Sequence, residues 1–248
     1  MTTNPVEIKV TLSGQVPDAL SILHLEEGTP WNIWFLDDLT PGIKSPLPLL
    51  KASTIVRLRS SKNKADSTLK LRPCRHSQLT SKWEKSSADG KKYRLEQDWA
   101  GERRALAASA VQALDPELVE TAISGDSDIS TLFSDHQKSF LADCADLRVA
   151  FAGLTTLGPV TAMKWKGTRI GDFDADVNAE RWTVGNFDFL ELSIRTEADA
   201  GKQQKRFDDA VRQQGLSVTT DQESKTDTVM TYLAQTRRTA VHSPHWLS

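Results

Sequence analysis

Apolar residues recur at every second position in several short segments of this chain, and the residues between them carry charge. VEIKVTL (6–12) sets Val6, Ile8 and Val10 against Glu7 and Lys9, a period of two that predicts a strand. WNIWFLDD (31–38) reads as an apolar, aromatic strand. IVRLRSSKNKADSTLKLRP (55–73) predicts a β-hairpin turning through SSKNKAD. Arg57 and Arg59 alternate with Val56 and Leu58 on its first arm, and Lys70 and Arg72 with Leu69 and Leu71 on its second. In KKYRLEQDW (91–99), Arg94, Glu96 and Asp98 oppose Tyr93, Leu95 and Trp99, and ERRALAASAV (102–111) continues the sheet. TLGPVTAMKWKG (156–167) and VNAERWTVGNFDFLELSIR (177–195) complete the strands, the second turning at Val184–Gly185–Asn186.

Other stretches follow helical spacing. VPDALSILHL (16–25) has Pro17 near its start, and ADAGKQQKRFDDAVRQQG (198–215) is an amphipathic helix stopped by Gly215. DPELVETAISG and ISTLFSDHQKSFLADCA make the stretch from Asp115 to Ala145 helical, with Asp115–Pro116 as a cap followed by proline at the first helical position. SKTDTVMTYLAQ (224–235) reads as a short helix, and LTPGIKSPLPLL (39–50) as a connection. Roughly eight strands with helices outside predict an α+β fold built on an antiparallel β-barrel. The expectation is a single domain over residues 1–248 with a helical insertion at about 115–145.

The charges change this picture. If the apolar faces turn outward under the helices, the charged faces line a channel. Two cations about 4 Å apart repel by about 4 kcal/mol at an effective dielectric near 20. Interleaved carboxylates offset part of that cost, and a bound polyanion would offset the rest. Arginine forks match phosphate oxygens, and carboxylates beside phosphates suit hard cations such as Mg²⁺ or Mn²⁺.

Composition narrows the classes. The chain has 248 residues, 38% hydrophobic and 26% charged, enough for a sizeable core. Its net charge of -2 supplies no global basic field for nucleic acid. Two cysteines, Cys74 and Cys144, are too few and too far apart for a disulfide framework or a zinc site. MTTNPVEIKV lacks a basic and then apolar leader, and no apolar run is long enough to span a bilayer. The expectation is a soluble cytoplasmic protein with neither nucleic-acid nor membrane partner.

The charged motifs, in order, resemble those of the CYTH superfamily, the triphosphate tunnel metalloenzymes. That superfamily includes class IV adenylyl cyclases, thiamine triphosphatases and inorganic triphosphatases. Its opening E-x-E-x-K strand is matched by Pro5-Val6-Glu7-Ile8-Lys9, its R-x-R strand by Arg57-Leu58-Arg59 and its T-L-K strand by Thr68-Leu69-Lys70. Glu96-Gln97-Asp98 matches the acidic strand, and Lys164 and Lys166 match later basic positions. Glu180 and Glu191-Leu192-Ser193 match the closing acids, and Ser224-Lys225 the final pair. Pro5 and Ser193 replace two family glutamates, so the basic set is better preserved than the acidic one.

The resemblance implies an eight-stranded antiparallel tunnel and hydrolysis of triphosphate compounds with Mg²⁺ or Mn²⁺. It implies that Arg57, Arg59, Lys70, Lys164 and Lys166 cradle phosphates, with Lys9 and Lys225 supporting; Arg72 joins them by strand parity alone. Glu7, Glu180 and Glu191 are the implied metal ligands. Glu96 and Asp98 act as further ligands or position water, and Glu7, Lys9, Glu96 and Asp98 form the candidate catalytic set. The expected partner is a small-molecule triphosphate or polyphosphate. Alternatives are a class IV-type cyclase, a catalytically degenerate polyphosphate- or nucleotide-binding protein, and a CYTH fold adapted to another phosphorylated metabolite.

Other signals carry less. Asp172, Asp174 and Asp176 resemble part of a calcium loop, but Val177 and Thr183 stand where an EF-hand needs glycine and glutamate. His242 and His245 read as a frayed tail, and Cys74 with His76 has no triad context.

Overall fold

The computed structural model describes residues 4–12, 14, 16–40, 46–86, 92–218 and 224–242, without the side chains of Ser81 and of 240–242; the His242 side chain and His245 lie outside the described residues. Nine strands close into one barrel: β1 (Val6–Leu12), β2 (Thr29–Asp37), β3 (Thr54–Ser60), β4 (Ala65–Leu71), β5 (Tyr93–Ala100), β6 (Arg103–Leu114), β7 (Thr155–Thr168), β8 (Val177–Val184) and β9 (Phe187–Thr196). Around the ring they run β1-β5-β6-β4-β3-β2-β7-β8-β9, with β9 returning to β1.

This corrects the expectation of eight antiparallel strands. Tyr93–Ala100 and Arg103–Leu114 are separate strands, β5 and β6, paired antiparallel. A closed ring with an odd number of strands cannot alternate direction all the way round, so at least one neighbouring pair must be parallel. That pair is β1 and β5, in register from Val6 opposite Gln97 to Lys9 opposite Ala100; the other eight pairings are antiparallel.

Among the described residues six α-helices surround the strands: α1 (Val16–Ile22), α2 (Pro48–Lys51), α3 (Pro116–Ser124), α4 (Asp135–Cys144), α5 (Ala200–Gln213) and α6 (Lys225–His242). α3 starts as its sequence predicts: Asp115 accepts from the Glu117 N–H, Pro116 follows, and Gly125 ends the helix at φ 92°. α4 is tied to the barrel by buried Gln137, whose amide donates to the Ser67 and Ala110 carbonyls. α2 is held by buried Asp37 at the end of β2, which accepts from the N–H groups of Leu49 and Leu50. Among the described residues no helix is long and apolar enough to cross a membrane.

The outward faces of the strands carry two apolar cores. Val56, Leu58, Leu69 and Leu95 pack with Val119, Phe140 and Leu141 of α3 and α4. Val10, Leu190, Leu192 and Ile194 pack with Ala19 of α1 and with Phe207 and Val211 of α5. A third core is of a different kind. Phe35, Ile55 and Trp182 line the barrel cavity, yet they belong to one cluster with Val229, Met230 and Ala234 of α6. α6 thus seals an apolar part of the interior, and the charge gathers in the remainder. Gly185 at the β8–β9 turn has φ 53°, and a Cβ there would collide with the Tyr232 ring of α6.

Candidate functional site

Strand parity builds the site. With Ile8, Val10, Leu58, Leu69 and Leu95 committed to the outer cores, their neighbours in sequence must point inward. The result is a cavity of about 220 Å³ lined by nine lysines and arginines and four glutamates. A chain of net charge -2 has therefore gathered a local cationic excess inside its barrel. Opposite Glu96 and Asp98, β6 presents Ala107 and Ala105, small side chains that leave room for long ones from across the barrel.

Asp98 organises one end of the cluster. Its side chain is fully buried, and its Oδ2 accepts from Lys9 Nζ at 2.8 Å and from Arg72 Nη1 at 3.2 Å, with Lys70 Nζ at 3.8 Å. Burial alone would raise the pKa of Asp98, but Lys9, Lys70 and Arg72 reverse this and hold it well below the carboxylate range. Glu7 follows the same logic: burial opposes its charge, but Lys9, Lys70 and Arg195 bring its pKa down to about 2. Lys9, which has Glu7 at 3.0 Å and Asp98 at 2.8 Å, overcomes its own burial and is pushed above the usual lysine range. Lys70 does not. Its carboxylate neighbours, Glu96 and Asp98, stand at 3.7 and 3.8 Å, so burial and then Lys9 prevail and lower its pKa to about 8.

The other end centres on a pair of glutamates. Glu180 of β8 and Glu191 of β9 are register partners, and Lys225 Nζ lies 3.4 Å from one and 3.0 Å from the other. The same ammonium sits 4.4 Å above the Trp182 ring, a cation–π contact. Lys164 meets Glu180 at 3.2 Å, and burial lowers its pKa to about 8. Between the two ends, Arg57 donates from Nη2 to Thr68 Oγ1 at 3.3 Å, and its buried Nε has no acceptor among the described residues. Burial and then Arg59 pull the pKa of Arg57 down to about 10; it remains charged at neutral pH in a place that penalises the charge.

Most of the residues singled out in the sequence meet in this one cavity. Glu7, Lys9, Arg57, Arg59, Lys70, Arg72, Glu96, Glu180, Glu191 and Lys225 line it, and Asp98 lies beneath them. Arg59 is already gripped by Asp66, its register partner, through Nε at 3.0 Å and Nη2 at 2.7 Å. Lys164 reaches Glu180 from outside the lining set. Lys166 is exposed and falls within the β7 irregularity between Trp165 and Thr168, where the parity that aims Lys164 inward breaks. Sequence reasoning missed Arg195 and Arg103. Arg195 meets Glu96 at 3.1 Å and Glu7 at 3.6 Å. It stands two residues beyond Ser193, so extending the parity of β9 by one step finds it. Arg103 follows from β6 in the same way, and Ser224, named with Lys225 as the final pair, accepts from Arg72 Nη2 at 2.6 Å.

The signals set aside stay apart from the cavity. Asp174 pairs with Arg206 at 3.0 Å on the outside. Cys74 and Cys144 are free and buried, and burial pushes the Cys74 thiol up to about 11, which leaves it protonated and unreactive.

A divalent metal fits part of this donor set. Among the described residues no three acids, histidines or cysteines converge, so no all-protein cage exists. Mg²⁺ commonly takes only one or two carboxylates and completes its shell with waters and substrate phosphates. Glu180 and Glu191, adjacent across two strands and already sharing one cation, match that requirement.

No family profile and no curated protein sequence matches the chain. Solved structures do. A proposed adenylyl cyclase from Hippeastrum, HpAC1, described as having a dominant triphosphatase activity, superimposes with a TM-score of 0.63 at 14% identity, covering 92% of this chain and 96% of its own. A proposed adenylate cyclase from Bacillus halodurans superimposes with a TM-score of 0.58 at 14% identity, covering 92% of this chain and 98% of its own. At that identity the likeness is one of fold. This chain shares the closed-barrel fold of these two structures.

Proposed function

We propose that the barrel interior binds the triphosphate chain of a small molecule and hydrolyses its terminal anhydride. The observation that carries this reading is the inward cationic excess, nine lysines and arginines against four glutamates, in a protein that is acidic overall. The size of the cavity supports a compact substrate: about 220 Å³ is below the roughly 300–1,000 Å³ of pockets that enclose drug-sized ligands. A triphosphate suits such a space better than a triphosphate with its nucleoside, which favours inorganic tripolyphosphate.

In this reading Arg57, Lys70 and Arg72 bind the phosphate oxygens. Asp98 aims Lys9, Lys70 and Arg72 at them, and Glu96 orients the attacking water. Attack at the terminal phosphorus breaks the anhydride bond, the departing diphosphate keeps the electron pair, and the proton lost by the water passes to solvent. A divalent cation held by Glu180, Glu191 and the phosphate oxygens would neutralise charge developing on the transferred group. The chain's contribution is positioning and electrostatics, the main protein contribution to phosphoryl transfer.

Phosphate release across a panel of triphosphates with Mg²⁺ or Mn²⁺, with cyclic nucleotide followed in parallel, tests the reaction. The expected result is inorganic phosphate, most rapidly from tripolyphosphate. Cyclic AMP and stoichiometric pyrophosphate from ATP would select the cyclase instead. A second reading, binding without turnover, is favoured by the ion pairing of the acidic set and by Pro5 and Ser193; tight tripolyphosphate binding with no product from any substrate would select it.

A further inference from the structure

We propose that Lys225 holds the place of a divalent cation between Glu180 and Glu191, so that metal binds there only once a triphosphate has drawn the ammonium away. This rests on the triphosphate reading of the cavity and adds an order of assembly to it.

Glu180 and Glu191 face each other across β8 and β9, and two carboxylates so placed repel unless a cation stands between them. Lys225 supplies it, 3.4 Å from Glu180 and 3.0 Å from Glu191, with a side chain only 9% exposed. Glu180 has a second cation in Lys164 at 3.2 Å. The described ion pair of Glu191 is with Lys225. The pair is therefore satisfied, and an incoming metal would have to shed water and displace a tethered ammonium that has no translational entropy to lose.

A triphosphate changes that balance. Lys225 is the first residue of α6, directly after Ser224, which accepts from Arg72. A phosphate chain held by Arg72 thus comes within reach of the Lys225 ammonium and offers it several anionic oxygens. Once the ammonium turns to the phosphate, Glu180 and Glu191 are left with a cation deficit beside new oxygen donors. Triphosphate then tightens metal binding, and by linkage metal tightens triphosphate binding by the same factor.

The test is a Mn²⁺ titration without any triphosphate, read by the electron paramagnetic resonance signal of the free ion. Parent, Lys225→Met and Lys225→Arg are compared, with thermal melting to confirm folding and Lys225→Gln as a second neutral variant. The expected result is about tenfold or more tighter Mn²⁺ binding in Lys225→Met, within the range of coupling energies between sites. Lys225→Arg should match the parent, and Glu191→Gln added to Lys225→Met should abolish the gain. Equal Mn²⁺ affinity in parent and both neutral variants overturns the proposal, whatever tripolyphosphate does. Failure of tripolyphosphate to bind the metal-free parent overturns the underlying reading of the cavity instead.

Discussion

Lys70 makes anion binding dependent on pH in a way that can be calculated. Its pKa is lowered to about 8 because its carboxylates stand too far off to offset its burial. In the free protein it is therefore about nine-tenths protonated at pH 7, half at pH 8 and one-tenth at pH 9. A bound phosphate supplies the missing counter-charge and restores the proton, so binding takes up about 0.1, 0.5 and 0.9 proton at those pH values through this residue. The associated loss of affinity is about twofold at pH 8 and tenfold at pH 9, the latter about 1.4 kcal/mol. Calorimetric titration of tripolyphosphate in buffers of different ionisation enthalpy reads the uptake directly. Tripolyphosphate titrates in this range too, so the quantity of interest is parent minus Lys70→Met, which removes the lysine and leaves the ligand unchanged. That difference should grow from pH 7 to pH 9. Identical uptake by parent and variant at pH 9 would refute the argument, because a lysine that does not gain a proton on binding does not face the anion. Without ligand the sign is opposite in consequence: between pH 8 and 10 the unfolded chain keeps a proton on Lys70 that the folded one gives up, so this residue makes stability rise with pH.

Two substitutions separate binding from stability. Arg57→Met keeps bulk but removes a buried charge with an unsatisfied Nε, so tripolyphosphate binding should weaken by about 1.5–3 kcal/mol while the melting temperature of the free protein holds or rises; a lower melting temperature with unchanged binding would contradict this. Asp98→Asn strips the charge that Lys9, Arg72 and Lys70 share, and should cost about 3–5 kcal/mol of stability at pH 7 by urea denaturation, the range for breaking a buried pair. Because the folded pKa of Asp98 is depressed, this contribution is present above the unfolded carboxylate pKa and is lost as pH falls below it, so parent and variant should converge in acid.

How much of this was legible in the sequence depended on whether a residue's direction follows from local parity. In β1, β3, β4 and β5 the pairing register runs without a bulge, and Glu7, Lys9, Arg57, Arg59, Lys70, Glu96 and Asp98 all lie where a period of two puts them. Lys166 was placed by the same rule, but an irregularity in β7 that no residue type announces interrupts the rule there. Strand count and direction were less accessible. Each strand segment is visible, but the parallel β1–β5 pair follows from ring closure, a property of the whole barrel. The pairing of cations with carboxylates was hidden for a related reason: Lys9 with Asp98, and Lys225 with Glu191, are contacts between residues far apart in the chain. The likeness to the superfamily supplied the order of motifs, whereas the substitution of Ser193 gains a structural context only beside Arg195 and Lys225.

The central claim is that the inward charges form a site for a polyanion without help from metal. Its most direct test is the melting temperature of the parent in chelator with and without tripolyphosphate, against sodium chloride of equal ionic strength. At a hundredfold excess over the dissociation constant, linkage predicts about 2.7 kcal/mol of stabilisation. A clear upward shift with tripolyphosphate and none with the salt is the predicted result; no shift at millimolar tripolyphosphate would contradict the account.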